Sequence, residues 1–368
     1  MFQKKVKPLP EPVLKVVRNA ATGATAVTSP GILLGENIRW NPELLPNAHI
    51  AIIGASGSGK TQTLKAIAYE VPKVFSLQIF IIDFHGDQQL VGEVCYHLDM
   101  ESPHGINPLT IDKDTKGGGP ALQAIAVAAI LKKALSMGPN QEGLVIEVLN
   151  SCYTARGIVQ SDPKTWEQEP PTFADLKAEV EQRIADGCKE SQKLLLKLAA
   201  TFQYGIFNRP QPPLDAPIIR FDLSALGKVP GLGAIAAESL AKQLMDSHRL
   251  HGEIEGKIPR TFLFIDEAKE MSKSLMCDRI TADGRKYGLA LVLASQSERH
   301  MSSDVIGNSA TKIVLPVDQA EVKTIAKKFR FAQERVARLS PLQALCRFGK
   351  DALEVNIVPY FQRLEDKE

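Results

Sequence analysis

The sequence predicts an α/β fold in which a mainly parallel β-sheet is covered by helices on both faces and carries an α-helical insertion. Short apolar runs recur along the chain, each apolar on both faces and followed by polar residues, at 49–53, 77–83, 261–266, 290–295 and 312–316. Strands of this kind are typical of a parallel sheet covered by helices. The first run is followed by a glycine-rich loop and a helix-forming stretch at 60–70, which predicts a strand, loop and helix unit. Long helical periodicities then fill the middle of the chain.

Composition limits the functions that the chain can have. Among 368 residues, 44 Lys and Arg stand against 42 Asp and Glu, for a net charge of +2, so any nucleic-acid contact must be a local patch. The five cysteines are scattered without metal-site spacing, which predicts free thiols in a reducing compartment. No apolar run is long enough for a membrane span, and residues 1–7 lack the apolar stretch of a signal peptide. We therefore expect a cytoplasmic protein without a membrane span.

The order of the predicted elements divides the chain into two parts. Residues 1–45 are expected to form an N-terminal arm with short strands, and residues 46–368 one α/β domain with a helical insertion at about 118–210. Chain breakers at 117–120 and 210–217 mark the two ends of that insertion. Its predicted helices are 121–137, 144–155, 173–186 and 191–207. Thr172 is expected to cap the third helix and Gly187 to end it. Residues 342–359 predict a hairpin that turns at 349–351.

The loop after the first strand fits the pattern GxxxxGK[ST] and lies between a predicted strand and a predicted helix. Glycines let backbone N–H groups point at a phosphate, and the following helix adds its positive N-terminal end. Lys60 is expected to bridge the β- and γ-phosphates of ATP, and the Thr61 hydroxyl to bind Mg²⁺. The predicted nucleotide-binding residues are Gly54, Ala55, Ser56, Gly57, Ser58, Gly59, Lys60, Thr61 and Gln62.

Two acids, Asp266 and Glu267, end a later apolar strand. Asp266 is expected to hold the Mg²⁺ through water, and Glu267 to act as general base on the attacking water, so the pair predicts hydrolysis of ATP. Gln296 ends the next strand and can sense the γ-phosphate or its water. Arg285, just before that strand, either caps the γ-phosphate bound to a neighbouring subunit or is a surface arginine. With Lys60, these residues are the predicted catalytic set.

Seven segments in this order resemble the HerA/FtsK superfamily. They are the phosphate-binding loop, IIDFHGD (81–87), HGINPLT (104–110), IIRFDLSAL (218–226), FLFIDEA (262–268), GRKYGLALVLASQS (284–297) and IGNSATKIVL (306–315). Within the superfamily the match is closest to HerA-like ATPases and to the traffic and coupling ATPases of conjugation and type IV secretion. The similarity covers residues 30 to 360 or so.

The resemblance implies a RecA-like P-loop core that assembles as a hexamer, binds ATP between subunits and translocates or unwinds double-stranded DNA. Carried over by position, Glu267 is the catalytic base, Gln296 the sensor and Arg285 a finger acting in trans. The segment Asp83, His85 and Asp87 matches a loop beside the nucleotide in HerA-like proteins. A purely structural turn is the equal alternative for that segment.

The sequence departs from the superfamily pattern at both ends. HerA proteins carry an N-terminal β-barrel that helps ring assembly, whereas fewer than fifty residues precede the P-loop in this sequence. The sequence also has no counterpart of the C-terminal winged helix with which FtsK motors read DNA. We expect ring formation that is weaker or depends on a partner, and no sequence-specific translocation.

Basic residues in the segment 321–338 suggest where DNA binds. They are Lys323, Lys327, Lys328, Arg330, Arg335 and Arg338, and helical spacing would bring several to one side. A solvated helix face is the alternative. Loops at 272–279 and 298–304 are candidate pore loops. The expected partner protein is a nuclease, or a defence or secretion protein. Two rival functions stay open: an ATP-regulated scaffold, and an ATPase that secretes protein.

Overall fold

The computed structural model describes residues 31–365. Within this range nine strands form one sheet in the order β11-β10-β9-β3-β8-β7-β4-β6-β5. The seven strands from β9 to β5 run parallel, and β10 and β11 extend the sheet as an antiparallel hairpin. The sheet strands are β3 (Ile50–Ile53), β4 (Gln78–Asp83), β5 (Val94–His97), β6 (Ile218–Asp222), β7 (Thr261–Ile265), β8 (Leu289–Ser295), β9 (Thr311–Val314), β10 (Gln343–Phe348) and β11 (Asp351–Asn356).

Helices cover both faces of the sheet. They are α1 (Lys60–Phe75), α2 (Pro120–Leu135), α3 (Pro139–Ala155), α4 (Phe173–Ala185), α5 (Lys189–Tyr204), α6 (Leu232–Leu250), α7 (Leu275–Tyr287), α8 (Ser303–Asn308), α9 (Val322–Phe329), α10 (Gln333–Ala337) and α11 (Gln362–Glu365). Alternate strand residues point to opposite faces: Phe262 and Phe264 of β7 join the core layer that contains α1, whereas Leu263 and Ile265 join the layer of α2 to α7. The predicted α/β class with a mainly parallel sheet is confirmed, and the core is RecA-like.

The four helices predicted between residues 118 and 210 are present as α2 to α5. Thr172 caps α4: its hydroxyl accepts a hydrogen bond from the Ala174 N–H, and Asp175 accepts one from the Thr172 N–H. This reciprocal capping box satisfies backbone donors that the first turn leaves unpaired. Gly187 follows the helix with a φ of +92°, the left-handed conformation that glycine adopts without strain. The predicted start and stop of this helix are therefore confirmed.

Several elements were not predicted from the sequence, among them β5, α6 and α7. β5 is a half-exposed edge strand, and α6 buries Glu238, Lys242 and Asp246 among its apolar residues, so neither shows a clean apolar period. α7 buries Cys277, Ile280, Thr281 and Gly284, which have helical spacing but include one large apolar residue only. The sequence suggested a candidate pore loop at 272–279. In the structure this segment is not a loop throughout, because residues from Leu275 onward belong to α7.

The ends of the described chain pack against each other. Residues 1–30 of the predicted N-terminal arm lie outside the described residues; residues 31–45 form β1 (Ile32–Gly35), β2 (Ile38–Trp40) and a short 3-10 turn, with β1 antiparallel to β2. The predicted hairpin is confirmed as β10 and β11. Just after it, Ile357 forms an antiparallel β-bridge with Gly35. None of the helices in residues 31–365 combines the length and low polarity needed to cross a bilayer.

Candidate nucleotide site

The glycine-rich loop lies where β3 ends and α1 begins, and both neighbouring strands hold it. The Gly54 N–H donates to the Ser295 carbonyl at the end of β8 (3.2 Å), and the Ala55 N–H donates to the Pro316 carbonyl after β9 (2.8 Å). A Cβ on Gly54 would lie 2.5 Å from Ser58 Oγ, so only glycine allows this close approach. A Cβ on Gly57, whose φ is +76°, would meet no atom within 4 Å, so the loop is open on that side.

Lys60, the first residue of α1, reaches the acid that follows β7. Its Nζ lies 2.9 Å from Asp266 Oδ1, and the two side chains are 8% and 3% exposed. Asp266 Oδ1 also accepts a hydrogen bond from the Glu267 N–H (2.9 Å), and Asp266 Oδ2 accepts one from Gln88 Nε2 (2.6 Å). A buried carboxylate with a cation and two further donors is fully satisfied. The fold thus joins two motifs that are 206 residues apart in sequence.

Glu267 stands beside this pair in a strained conformation. Its φ is +63°, a left-handed value that costs a non-glycine residue of order 1–3 kcal/mol and is retained mainly at functional sites. Glu267 Oε2 accepts a hydrogen bond from Gln296 Nε2 (3.0 Å). Its other oxygen, Oε1, is buried and has no hydrogen-bond partner among residues 31–365. One oxygen of this carboxylate is therefore held in place while the other stays available as an acceptor.

The remaining predicted site residues divide into two groups. Thr61 and Gln62 lie half-buried in the first turn of α1, next to Lys60. Arg285 lies elsewhere: it is exposed in the last turn of α7, and no hydrogen bond among the described residues ties its guanidinium to the loop. The structure brings Lys60, Asp266, Glu267 and Gln296 together within one chain, but it does not bring Arg285 to them.

Two residues near the site, Gln88 and Arg220, were not predicted from the sequence. Gln88 contacts Asp266, and Arg220 contacts Asp83. The Gln88 amide that binds Asp266 is positioned by its own backbone N–H, which donates to Asp83 Oδ2 (3.0 Å). Asp83 is fully buried and also accepts hydrogen bonds from the backbone N–H groups of His85 and Gly86. Of the two interpretations of residues 83–87, the structural turn is the one that these contacts favour.

Arg220 supplies the charge that balances Asp83. Its Nη1 lies 2.9 Å from Asp83 Oδ2, and its Nε donates to Glu93 Oε1 at 2.9 Å. Burial alone would lower the pKa of Arg220, but the hydrogen bond and charge of Glu93 raise it overall. The guanidinium is therefore a permanent cation in the core. The signal in the sequence was the arginine of IIRFD, a charged residue inside an otherwise apolar strand.

The same arginine touches a polar cluster at the edge of the sheet. Asp222 lies 3.5 Å from Arg220 and 2.9 Å from His97 Nδ1, and Cys95 Sγ lies 3.5 Å from His97 Nε2. Burial raises the pKa of the Cys95 thiol to about 11. The cysteine spacing did not predict this cluster, which forms because the residues of β5 that alternate on one face meet the end of β6. All the cysteines between residues 31 and 365 are free.

The basic segment at 321–338 folds into two short helices, α9 and α10. α9 buries Val322, Ile325, Ala326 and Phe329 and leaves its lysines exposed, so the basic residues do share a side. Lys328 is paired with Glu298, and Arg335 lies 3.5 Å from Glu354. Nearby, burial lowers the pKa of Lys312, and the charges of Arg330 and Arg347 lower it further. This surface is therefore locally positive on a chain of nearly neutral net charge.

The chain is similar in sequence to known proteins. The family model for the central domain of the helicase HerA matches residues 40–110. The probable DNA double-strand break repair helicase HerA of Methanocaldococcus jannaschii is 23% identical over 351 residues, with coverage of 79% of this chain and 66% of the relative's length. The chain thus spans about two thirds of that relative.

Solved structures share the fold. VirB4 of Thermoanaerobacter pseudethanolicus superimposes with a TM-score of 0.73 at 16% identity, covering 90% of this chain and 97% of the other. The plasmid coupling protein TrwB, in complex with the non-hydrolysable ATP analogue ADPNP, gives a TM-score of 0.60 at 15% identity, covering 90% and 89%. TrwB has also been solved with ADP and Mg²⁺. Its motif order, its RecA-like sheet and the HerA match across the phosphate-binding loop make the chain similar to the HerA/FtsK-type P-loop ATPases.

Proposed function

We propose that this protein hydrolyses ATP with Mg²⁺ and, as a homo-oligomer, couples hydrolysis to the movement or unwinding of double-stranded DNA. The observation that carries the hydrolytic part is the carboxylate of Glu267. One oxygen is fixed by Gln296, and the other is buried without a partner among residues 31–365, beside the Lys60 and Asp266 pair. A carboxylate held in this way can accept a proton from an attacking water.

The residues of the loop fit a magnesium nucleotide. The open side at Gly57 leaves room for phosphate oxygens, and the buried Ser58 Oγ is a polar atom without a partner among the residues that the structure describes. Thr61 and Asp266 supply the oxygen ligands that Mg²⁺ prefers. Mg²⁺, when bound, would neutralise charge on the phosphates. The nucleotide complexes of TrwB support the same ligand class for this fold.

Each residue of the set then has a separate task in hydrolysis. Lys60, released from Asp266, would place its positive charge on the β- and γ-phosphates. Glu267 would orient and deprotonate the water, while Gln296 would fix the Glu267 carboxylate and respond to the γ-phosphate. Gln88 keeps Asp266 in position through the 2.6 Å hydrogen bond. Hydrolysis is favoured over phosphoryl transfer to a substrate because Glu267, the proposed base, is buried beside the Lys60 and Asp266 pair.

Oligomer formation is supported by the position of Arg285. Its exposed guanidinium is separate from the loop of its own chain, as expected for a residue that caps the γ-phosphate bound by a neighbour. We propose a hexamer, in line with the superfamily resemblance. DNA would contact the exposed cations of α9 and α10. Phosphate contacts need a local positive charge and do not require a positive net charge on the whole chain. A nuclease, or a defence or secretion protein, is the proposed partner class.

Steady-state ATP hydrolysis with and without double-stranded DNA tests this function. The wild type would be assayed at low and moderate salt beside Glu267→Gln and Arg285→Ala. Glu270→Gln and Lys286→Ala are matched controls, because both residues are exposed neighbours of the residues changed. We expect the loss of Glu267 to lower the rate by about 10² to 10⁴-fold. DNA should stimulate the wild type, and the stimulation should fade as salt increases.

Two results would redirect the proposal. A rate that DNA leaves unchanged, in a protein whose Glu267→Gln variant is inactive, would identify an ATPase that acts on protein, as an ATP-regulated scaffold or a secretion ATPase. Stimulation by a protein partner alone would select that function. A Glu267→Gln variant as active as the Glu270→Gln control would refute the assignment of the base.

A further inference from the structure

We propose that Phe361 is the stacking platform for the adenine base, in a subsite of the nucleotide site formed by the chain that follows the hairpin of β10 and β11. This inference rests on the proposed binding of ATP. Phe361 is 47% exposed, and among the Phe, Tyr and Trp side chains of residues 31–365 it is the only exposed one. An aromatic ring left in water next to the phosphate loop is placed where a planar ligand can cover it.

Phe361 lies against the first turn of α1. Its backbone N–H donates to Gln62 Oε1 (3.4 Å), and Gln62 is two positions after Lys60. The amide end of this turn faces the phosphates in every loop of this type. A nucleoside attached to those phosphates therefore leaves the loop within side-chain reach of Phe361.

The same part of the chain contacts the loop at a second place. The N–H of Leu342, just before β10, donates to the Ser58 carbonyl at 3.0 Å. The C-terminal part of the described chain is therefore held against both the loop and the start of α1.

The segment that carries Phe361 is held rigidly, although the ring itself is exposed. Tyr360 packs edge-on against Tyr69 of α1, with ring centroids 5.2 Å apart, and its hydroxyl accepts a hydrogen bond from the Val91 N–H. Arg363, on the other side, is buried and paired with Glu70 of α1. A platform fixed from both sides loses little entropy when a base stacks on it.

Binding of ATP and of inorganic tripolyphosphate separates base contacts from phosphate contacts. Both ligands would be titrated with Mg²⁺ by calorimetry into Glu267→Gln, which keeps ATP intact, and into the same protein with a second change. Stacking of one base corresponds to about a 5- to 100-fold change in affinity. We expect Phe361→Ala to lower the affinity for ATP by that factor and to leave the affinity for tripolyphosphate within about twofold of its value in the parent. Leu353→Ala, which removes a comparably exposed side chain on β11, is the matched control and should change neither.

Phe361→Trp supplies a second readout. The two native tryptophans, Trp40 and Trp166, are 1% and 3% exposed, and a titration of the parent protein measures their contribution, so the difference reports on position 361. The fluorescence from that position should be quenched by ATP and not by tripolyphosphate. ATP affinity that Phe361→Ala leaves within about twofold, in a parent that binds both ligands, would overturn the base site alone. A parent that binds neither ligand would overturn the proposed function as well.

Discussion

His49, at the entrance to β3, should make the stability of the fold sensitive to mild acid. Its ring is 1% exposed, Nδ1 accepts the Leu291 N–H at 3.0 Å, and Nε2 is buried without a partner among the described residues. Burial therefore lowers the pKa of His49 from 6.5 to about 4. The unfolded chain binds a proton at His49 below about pH 6.5, whereas the folded chain does not until about pH 4. The free energy of unfolding must therefore fall as the pH falls through this window.

The size of the effect follows from the two pKa values. Because a tenfold change in proton affinity is worth about 1.4 kcal/mol, the full penalty below pH 4 is about 3 kcal/mol, and about 2 kcal/mol of it is present at pH 5. In His49→Gln the amide oxygen can still accept the Leu291 N–H, but the side chain does not titrate. The destabilisation caused by this substitution at about pH 7.5 should shrink by about 2 kcal/mol at about pH 5.

Urea denaturation of both proteins at the two pH values, followed by circular dichroism, measures this double difference. His248 is buried too, and burial lowers its pKa to about 4, but it is present in both proteins and cancels. His251→Gln is the control, because that ring is exposed at the end of α6 and stays in water when the chain unfolds. A destabilisation by His49→Gln that is the same at both pH values would refute the reasoning.

Three further substitutions test the supports of the site and of the insertion. Arg220→Met should lower the free energy of unfolding by about 3 kcal/mol, because it leaves the buried Asp83 carboxylate without its cation. Urea denaturation measures this change. A decrease in unfolding free energy no larger than that caused by replacing an exposed, ion-paired arginine would contradict the prediction. Gly59→Ala should abolish ATP binding in calorimetry, since φ is +97° and the new Cβ would lie 2.5 Å from Leu342; unchanged affinity would show that the loop can move away. Thr172→Ala should cost about 1 kcal/mol in the same denaturation assay, through loss of the cap of α4, whereas Thr172→Ser should cost less.

Local patterns predicted the parts of the fold that depend on neighbouring residues. The loop at 54–61, the cap at Thr172 and the hairpin around Gly349 each rest on a few consecutive residues whose conformation is limited by glycine, by a capping side chain or by strand alternation. α7 was missed because its buried side is built from small and polar residues. β5 was missed because an edge strand with half-exposed residues has no apolar run.

The site shows the same division between local and long-range information. The proximity of Lys60, Asp266, Glu267 and Gln296 could be predicted because each lies at or just after the end of an element with a recognisable pattern. Gln88 could not, since the contact that matters joins it to Asp266 across 178 residues of sequence. A glutamine in a loop carries no pattern of its own. Its importance depends on the pairing of β4 with β7, which is set by the sheet order and not by the residues around it.

The sequence left two interpretations of the acids of residues 83–87 open, a loop beside the nucleotide and a structural turn. In the structure Asp83 points into the core, where Arg220 neutralises it and the turn donates three N–H groups to it. These hydrogen bonds fix the turn, and the turn places the Gln88 amide on Asp266. Removing the charge at Asp83 would therefore disturb Asp266, the proposed metal ligand, through the backbone of the turn. The segment affects the candidate nucleotide site through its backbone conformation. The side chain that reaches Asp266 from this turn is that of Gln88, which carries no charge.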